Sequence, residues 1–475
     1  MSCIKKDIEL ATLKPKMVFT LITLALLLIV WVINDNDLLR HYSALFFLIE
    51  LAAIIYVGKQ YNFENIYFFS PCFIMAFYVT VNFALGFYAM DHNYNIAAYQ
   101  FRTLEFLKIK SIALGVSYTL ICIWVTIMLF NVRYKIKPVT AAITANGGFV
   151  PHRSWPFYKV VVGLVLIIAF SSVEINMDFL GGNGDFSIIP KTIVAIILFY
   201  ELANRKVRYR WLVYLFIFGI FVLTNYNSKR EAFFLIVTIL FLESVAGNIK
   251  VRDLSWKYLL AFLLAGGVLV IALIVMTIAR GYGGYQLNSA FDAVKYVPAM
   301  LADDNFIGFI FTTSEAPTTC YHSLKAIEMI SRHPDYTTYG STLAKVFFVP
   351  VPKDLFGFKP LSMTSIFTKL EAPALYRVGG SLPVNMYAEM FWNFNILGIP
   401  AVGLLMAVLN HLYKRLYYLC MHGKRNVLVF TLLFAYTYLV GFFRGYGLDL
   451  YMVYVLISIP FAYLVGYLLY KIIKY

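Results

Sequence analysis

Four arginines, Arg230, Arg280, Arg377 and Arg444, each stand at the border of a long apolar run. A guanidinium stays charged when partly buried, and its planar fork matches two phosphate oxygens at once. Arginines so placed suit an anionic ligand such as a lipid-linked pyrophosphate. The plainer alternative is that each reaches to lipid headgroups or pairs with a nearby acid, Glu231 or Asp449. Asn385, Glu389 and Asn393 are spaced i, i+4, i+8, which puts them on one helix face. A carboxylate within apolar sequence is costly unless it faces a cavity or a partner. Glu389 therefore either orients a hydroxyl-rich substrate, with Asn385 and Asn393 on the sugar, or holds one of the arginines. His322 and His333 are the only histidines between 280 and 382. One could serve as a general base near neutral pH; the alternative is polar surface.

Glu50 lies near the middle of another apolar run. It would suit a proton-coupled transporter, or a structural pair with a Lys, Tyr or Asn of another span. The five cysteines, Cys3, Cys72, Cys122, Cys320 and Cys420, show no metal-ligand spacing, and only Cys320 falls between 280 and 382. No glycine-rich phosphate loop opens a helix, and no H-E-x-x-H occurs. Neither a metal nor another cofactor is expected, nor is an ATP-driven pump on this chain alone.

The elements that must position these residues are apolar. Of 475 residues, 61% are hydrophobic and 14% charged, and the mean hydropathy is +0.74. A soluble domain has roughly 45–50% apolar and about 25% charged residues. The expected fold is an all-α polytopic membrane protein, one integral domain over 1–475. Runs at 17–33, 42–57, 66–88, 109–130, 157–173, 187–203, 211–225, 231–246, 258–279, 383–409, 426–443 and 448–470 predict about 12 spans at ~20 residues each. The first run is too long for a signal h-region and reads as a retained span. The runs 42–57 and 211–225 are short and would recruit flanking residues.

With the N-terminus in the cytoplasm, 23 of the 40 Lys and Arg fall on inward segments and 8 on short outward ends, with 9 in the stretch 280–382. This bias follows the positive-inside rule and puts both termini in the cytoplasm. It also accounts for the net charge of +15 without a nucleic-acid partner. The stretch 280–382 is then one large extracytoplasmic loop. A loop of this length is a working element, the lid or floor of a site. Within it, Ala290 to Leu301 and Ser323 to Arg332 predict short helices, the second stopped by His333-Pro334, while Pro350, Pro352 and Pro360 break the next segment into extended and turn pieces. Its sixteen Phe and Tyr predict that it packs onto the membrane surface or a neighbouring groove.

Four stretches go further. Gly340-Ser341-Thr342-Leu343, then Val349-Pro350-Val351-Pro352-Lys353-Asp354-Leu355-Phe356-Gly357-Phe358-Lys359-Pro360, then Gly379-Gly380-Ser381-Leu382-Pro383 with Ala388-Glu389-Met390-Phe391-Trp392-Asn393-Phe394-Asn395-Ile396-Leu397-Gly398, resemble the O-antigen polymerase family of oligosaccharide repeat unit polymerases. Asn227-Ser228-Lys229-Arg230-Glu231 is similar to a second short motif of those enzymes. The matched residues make up less than a tenth of the chain. Lys353 stands where arginine is common, keeping the charge but losing the bidentate fork. Asn395 stands where glycine is common, at little expected cost inside a helix.

The resemblance implies a metal-independent membrane glycosyltransferase of the GT-C type. It would act on undecaprenyl-pyrophosphate-linked oligosaccharide at the outer face of the bacterial cytoplasmic (inner) membrane, with membrane lipid and a chain-length regulator protein as partners. A growing chain would leave its lipid pyrophosphate and join a newly delivered repeat. Arg230, Arg280 and Arg377, then Arg444 and Lys353, would hold the pyrophosphate; Glu389 or His322 would orient or deprotonate the acceptor. Three rivals stand beside this reading: a flippase or other transporter, a ligase transferring finished glycan, and a non-enzymatic scaffold of an assembly complex.

Overall fold

The computed structural model describes residues 2–33, 35–61, 64–92, 109–130, 157–172, 187–224, 229–249, 271, 274–275, 278, 292–303, 315–348 and 360–474. The described chain is almost entirely helical, and no strand occurs among the described residues. In order, the helices are α1 (Ser2–Val32), α2 (Asn36–Lys59), α3 (Glu64–Phe68), α4 (Pro71–Asp91), α5 (Ile109–Leu129) and α6 (Phe157–Ser171). They continue with α7 (Ile188–Asn204), α8 (Arg210–Thr224), α9 (Lys229–Val245), α10 (Ala293–Leu301), α11 (Glu315–Arg332) and α12 (Ser341–Phe348). The last are α13 (Met363–Glu371), α14 (Pro373–Arg377), α15 (Met386–Phe394), α16 (Gly398–Met421), α17 (Val427–Thr437) and α18 (Leu448–Lys474).

Seven helices are long and apolar enough to cross a membrane: Lys14–Val32, Asn36–Lys59, Pro71–Asp91, Ile112–Leu129, Met386–Met421, Val427–Gly445 and Leu448–Leu468. Three shorter apolar helices, Phe157–Ser171, Arg210–Phe221 and Phe234–Val245, accompany them. These seven are counted among the described residues, and they do not confirm the twelve expected. The run 258–279 lies largely outside the described residues, and α7, at 17 residues, is short for a span. Every residue of α7 from Ile188 to Ala203 is buried, Lys191 and Glu201 included, so this helix is enclosed by other helices. The short run 42–57 does recruit its flanks: Asp35 caps α2 by accepting from the Asp37 and Leu38 amides, and the helix reaches 24 residues.

Cross-helix polar contacts sort the helix ends into two groups. Lys16 donates to the Met128 and Phe130 carbonyls, Tyr413 to the Ile66 carbonyl, and Arg425 pairs with Glu201 at 2.7 Å. Arg210 pairs with Glu243 at 2.8 Å. At the opposite ends, His41 meets Asp91 at 2.8 Å and Lys345 meets Asp449 at 2.6 Å.

The loop does not float. α11 begins at Glu315, eight residues before the periodicity suggested, and stops at Arg332 where His333-Pro334 predicted. Its small buried residues Thr319, Cys320 and Ser323 explain why it lies deep against α4 and α5. A Cβ at Gly86 of α4 would stand 2.4 Å from the Cys320 Cβ, so the close approach requires glycine there. The expected helix at 290–301 is present as α10, and Pro360 lies in an extended piece before α13. Pro350 and Pro352 lie outside the described residues.

The largest departure is at 383–409, expected as one span. It is two helices: α15, only nine residues, and α16, whose 24 residues at about 1.5 Å each exceed a ~30 Å hydrocarbon core by themselves. The 3-10 turn Asn395–Leu397 separates them.

Candidate functional site around a short broken helix

The extended segment 381–385 brings the chain into the bundle and α15 starts there. The Asn385 side chain caps it, its Oδ1 accepting from the Ala388 amide at 2.9 Å. The Asn385 amide donates to Ser323 Oγ on α11 at 3.0 Å, and the Leu382 amide to Thr368 Oγ1 on α13 at 2.8 Å. Tyr118, nine residues into α5, donates to the Tyr387 carbonyl, and the Tyr387 hydroxyl bonds Thr126 at 2.8 Å. α15 therefore lies beside the middle of α5, not at its end. Met386 to Asn393 are all buried. A short helix enclosed at this depth is tolerated where protein groups satisfy its ends.

Its end is strained. Asn395 has φ 52° and ψ −134°, a backbone region that favours glycine. The expectation that asparagine costs little here, because it would sit inside a helix, is corrected: residue 395 is the break itself. Asn395→Gly is expected to stabilise the protein by about 1 kcal/mol, read as a higher melting temperature in detergent. An unchanged or lower melting temperature would contradict the strain.

Glu389 is 3% exposed, and among the described residues its Oε2 has no hydrogen-bond partner. Asp449, 5% exposed at the start of α18, lies within electrostatic range of it. Asp449 in turn holds Lys345 of α12. The two asparagines of the expected sugar-binding stripe are engaged within the protein. Asn385 caps the helix; Asn393 accepts from the Thr338 and Thr342 hydroxyls at 2.8 and 2.7 Å and donates to the Glu389 carbonyl. Their polar atoms build the frame around Glu389.

His322 is buried on α11, its ring edge-on to Phe367 and hydrogen-bonded to the Pro383 carbonyl. Burial pushes the imidazole down to about 3, against the weaker upward effect of that hydrogen bond. Burial thus disfavours the charged ring that a base near neutral pH would pass through. Unfolding returns the imidazole to about 6.5, so the unfolded chain takes up the proton first. The folded protein should lose stability as pH falls from about 6.5 toward 3, and His322→Gln should narrow the gap between melting temperatures at pH 7 and pH 5. An unaltered gap would argue against the buried neutral ring. His333 is exposed and faces Tyr336, ring centroids 5.3 Å apart.

Of the expected phosphate-binding cations, Arg444 is half-buried in the π-helical turn Phe442–Tyr446. The next residue, Gly445, presses on the Val384 carbonyl of the segment leading into α15, so Arg444 and Glu389 belong to one packed unit. Arg377 is exposed at the end of α14, in the stretch that runs into 381–385. Arg230 lies in α9, with its side chain outside the described residues; Arg280 and Lys353 also lie outside them. Asp449, a proposed partner of Arg444, is held by Lys345. Sequence reasoning missed Lys345, which carries no signal of its own in an amphipathic eight-residue helix. It also missed Thr338, Thr342 and Tyr118.

Glu50 is fully buried on α2 and accepts from the Thr23 hydroxyl of α1 at 2.9 Å. Its partner is a threonine where a Lys, Tyr or Asn was expected. The chain matches no family model, no curated protein and no solved structure.

Proposed function

We propose that the protein polymerises undecaprenyl-pyrophosphate-linked oligosaccharide repeat units at the outer face of the bacterial cytoplasmic membrane. The observation that carries this reading is Glu389: a buried carboxylate, one oxygen of which has no partner among the described residues, on a short helix within the bundle. Buried polar atoms are ordinarily satisfied, and an intramembrane acid that is not marks a functional position. The positive-inside bias supports placing both termini in the cytoplasm and Glu389's end of the bundle outside.

In this reading the acceptor hydroxyl of a new repeat attacks the anomeric carbon of the growing chain. The new glycosidic C–O bond forms as the bond from that carbon to the pyrophosphate oxygen breaks. The pyrophosphate departs with the electron pair, and the hydroxyl proton passes to Glu389. Pyrophosphate is a good leaving group, so the protein's task is cationic stabilisation of the departing charge, which falls to Arg444 and Arg377 with Arg230, Arg280 and Lys353. A chain-length regulator protein would act on the same growing chain. The test is purified protein in nanodiscs supplied with undecaprenyl-pyrophosphate-linked oligosaccharide extracted from the host. Longer lipid-linked chains should form without added nucleotide sugar, and a requirement for nucleotide sugar would contradict the reading. Glu50, whose Oε2 has no partner among the described residues, favours a transporter as the second reading. Flipping of the same lipid across vesicles without elongation would support it.

A further inference from the structure

We propose that Lys345 and Asp449 form a positioning pair that holds the Glu389 carboxylate toward the acceptor hydroxyl, an inference that rests on the glycosyl-transfer reading above. α12 touches both helices that carry the carboxylates. Its Thr342 bonds Asn393, one turn beyond Glu389 on α15, and its Lys345 bonds Asp449 at the head of α18 at 2.6 Å. Asp449 lies within electrostatic range of Glu389, and both are nearly inaccessible to water.

Since no hydrogen bond within the described residues fixes Glu389 Oε2, the field of neighbouring charges decides where that oxygen points. The Lys345 ammonium balances the Asp449 carboxylate beside Glu389. Without it, two carboxylates confront each other in a low-dielectric interior, where like charges repel far more strongly than in water. Glu389 then turns away from the acceptor. Lys345 touches neither substrate nor the reacting atoms in this scheme; it acts through Asp449.

The experiment compares variants in nanodiscs with the host's undecaprenyl-pyrophosphate-linked oligosaccharide as probe, each checked for an unchanged melting temperature. Lys345→Met is expected to lower kcat about tenfold or more, roughly 1.4 kcal/mol in the barrier, with KM within about twofold. Lys345→Arg should retain turnover, and Lys345→Asp combined with Asp449→Lys should recover part of what each loses alone. Full turnover in Lys345→Met, or equal losses in Lys345→Met and Lys345→Arg, would overturn the pair while leaving the glycosyl-transfer reading intact, provided Glu389→Gln is inactive. A folded wild-type protein that elongates nothing overturns both.

Discussion

Gly445→Ala is expected to destabilise the protein by roughly 3 kcal/mol or more and to abolish activity. Two effects add. Gly445 has φ 119°, a conformation that side-chain-bearing residues rarely adopt. A Cβ there would also stand 1.9 Å from the Val384 carbonyl oxygen. The obstacle is backbone, so no side-chain rotation relieves it, and the segment 381–385 must move. That segment carries the Asn385 cap, the Ser323 and Thr368 anchors and the entry to α15. Displacing it uncouples Arg444 from the helix bearing Glu389. Gly466 in α18 has nothing within 4 Å of its would-be Cβ, so Gly466→Ala provides the control and should melt with the wild type. If Gly445→Ala also melts with the wild type, the packing of this turn onto α15 is not what holds the site.

Glu389→Gln is expected to reduce turnover by about 100-fold or more, the lower range for loss of a general base. The amide has nearly the same shape, so packing within α15 is preserved. Substitution also removes an acidic group from beside Asp449 and a buried carboxylate oxygen that has no partner among the described residues. The variant should therefore melt at or above the wild-type temperature. Loss of activity with retained stability separates a chemical role from a structural one. A variant that keeps full turnover, or that unfolds, contradicts the assignment.

The sequence carries the apolar helices in the right order, because runs of Leu, Ile, Val and Phe uninterrupted by charge have one stable solution in hydrocarbon. The stop of α11 was legible for an equally local reason, the proline after His333. The break in the run 383–409 was not. Asn395 looks like an ordinary helical residue, and only the geometry of the turn shows that a glycine-like backbone is required there. Nor was the depth of α11 legible. Its pattern reads as an amphipathic surface helix, and what buries it is the fit of Cys320 against Gly86, residues remote in sequence. The stripe Asn385, Glu389, Asn393 was found by helical spacing, yet spacing does not distinguish a cap and a tether from ligand-binding groups. Lys345 and Asp449 meet only through the tertiary fold, so neither could be singled out by pattern.

The most direct test of the central claim is to delete the gene in its host, complement it with wild type or Glu389→Gln, and resolve surface glycan by gel. The account predicts that the deletion and the Glu389→Gln strain both display glycan of a single repeat unit, while the wild type restores long chains. Complete loss of surface glycan in the deletion, or an unchanged ladder of long chains, would contradict it.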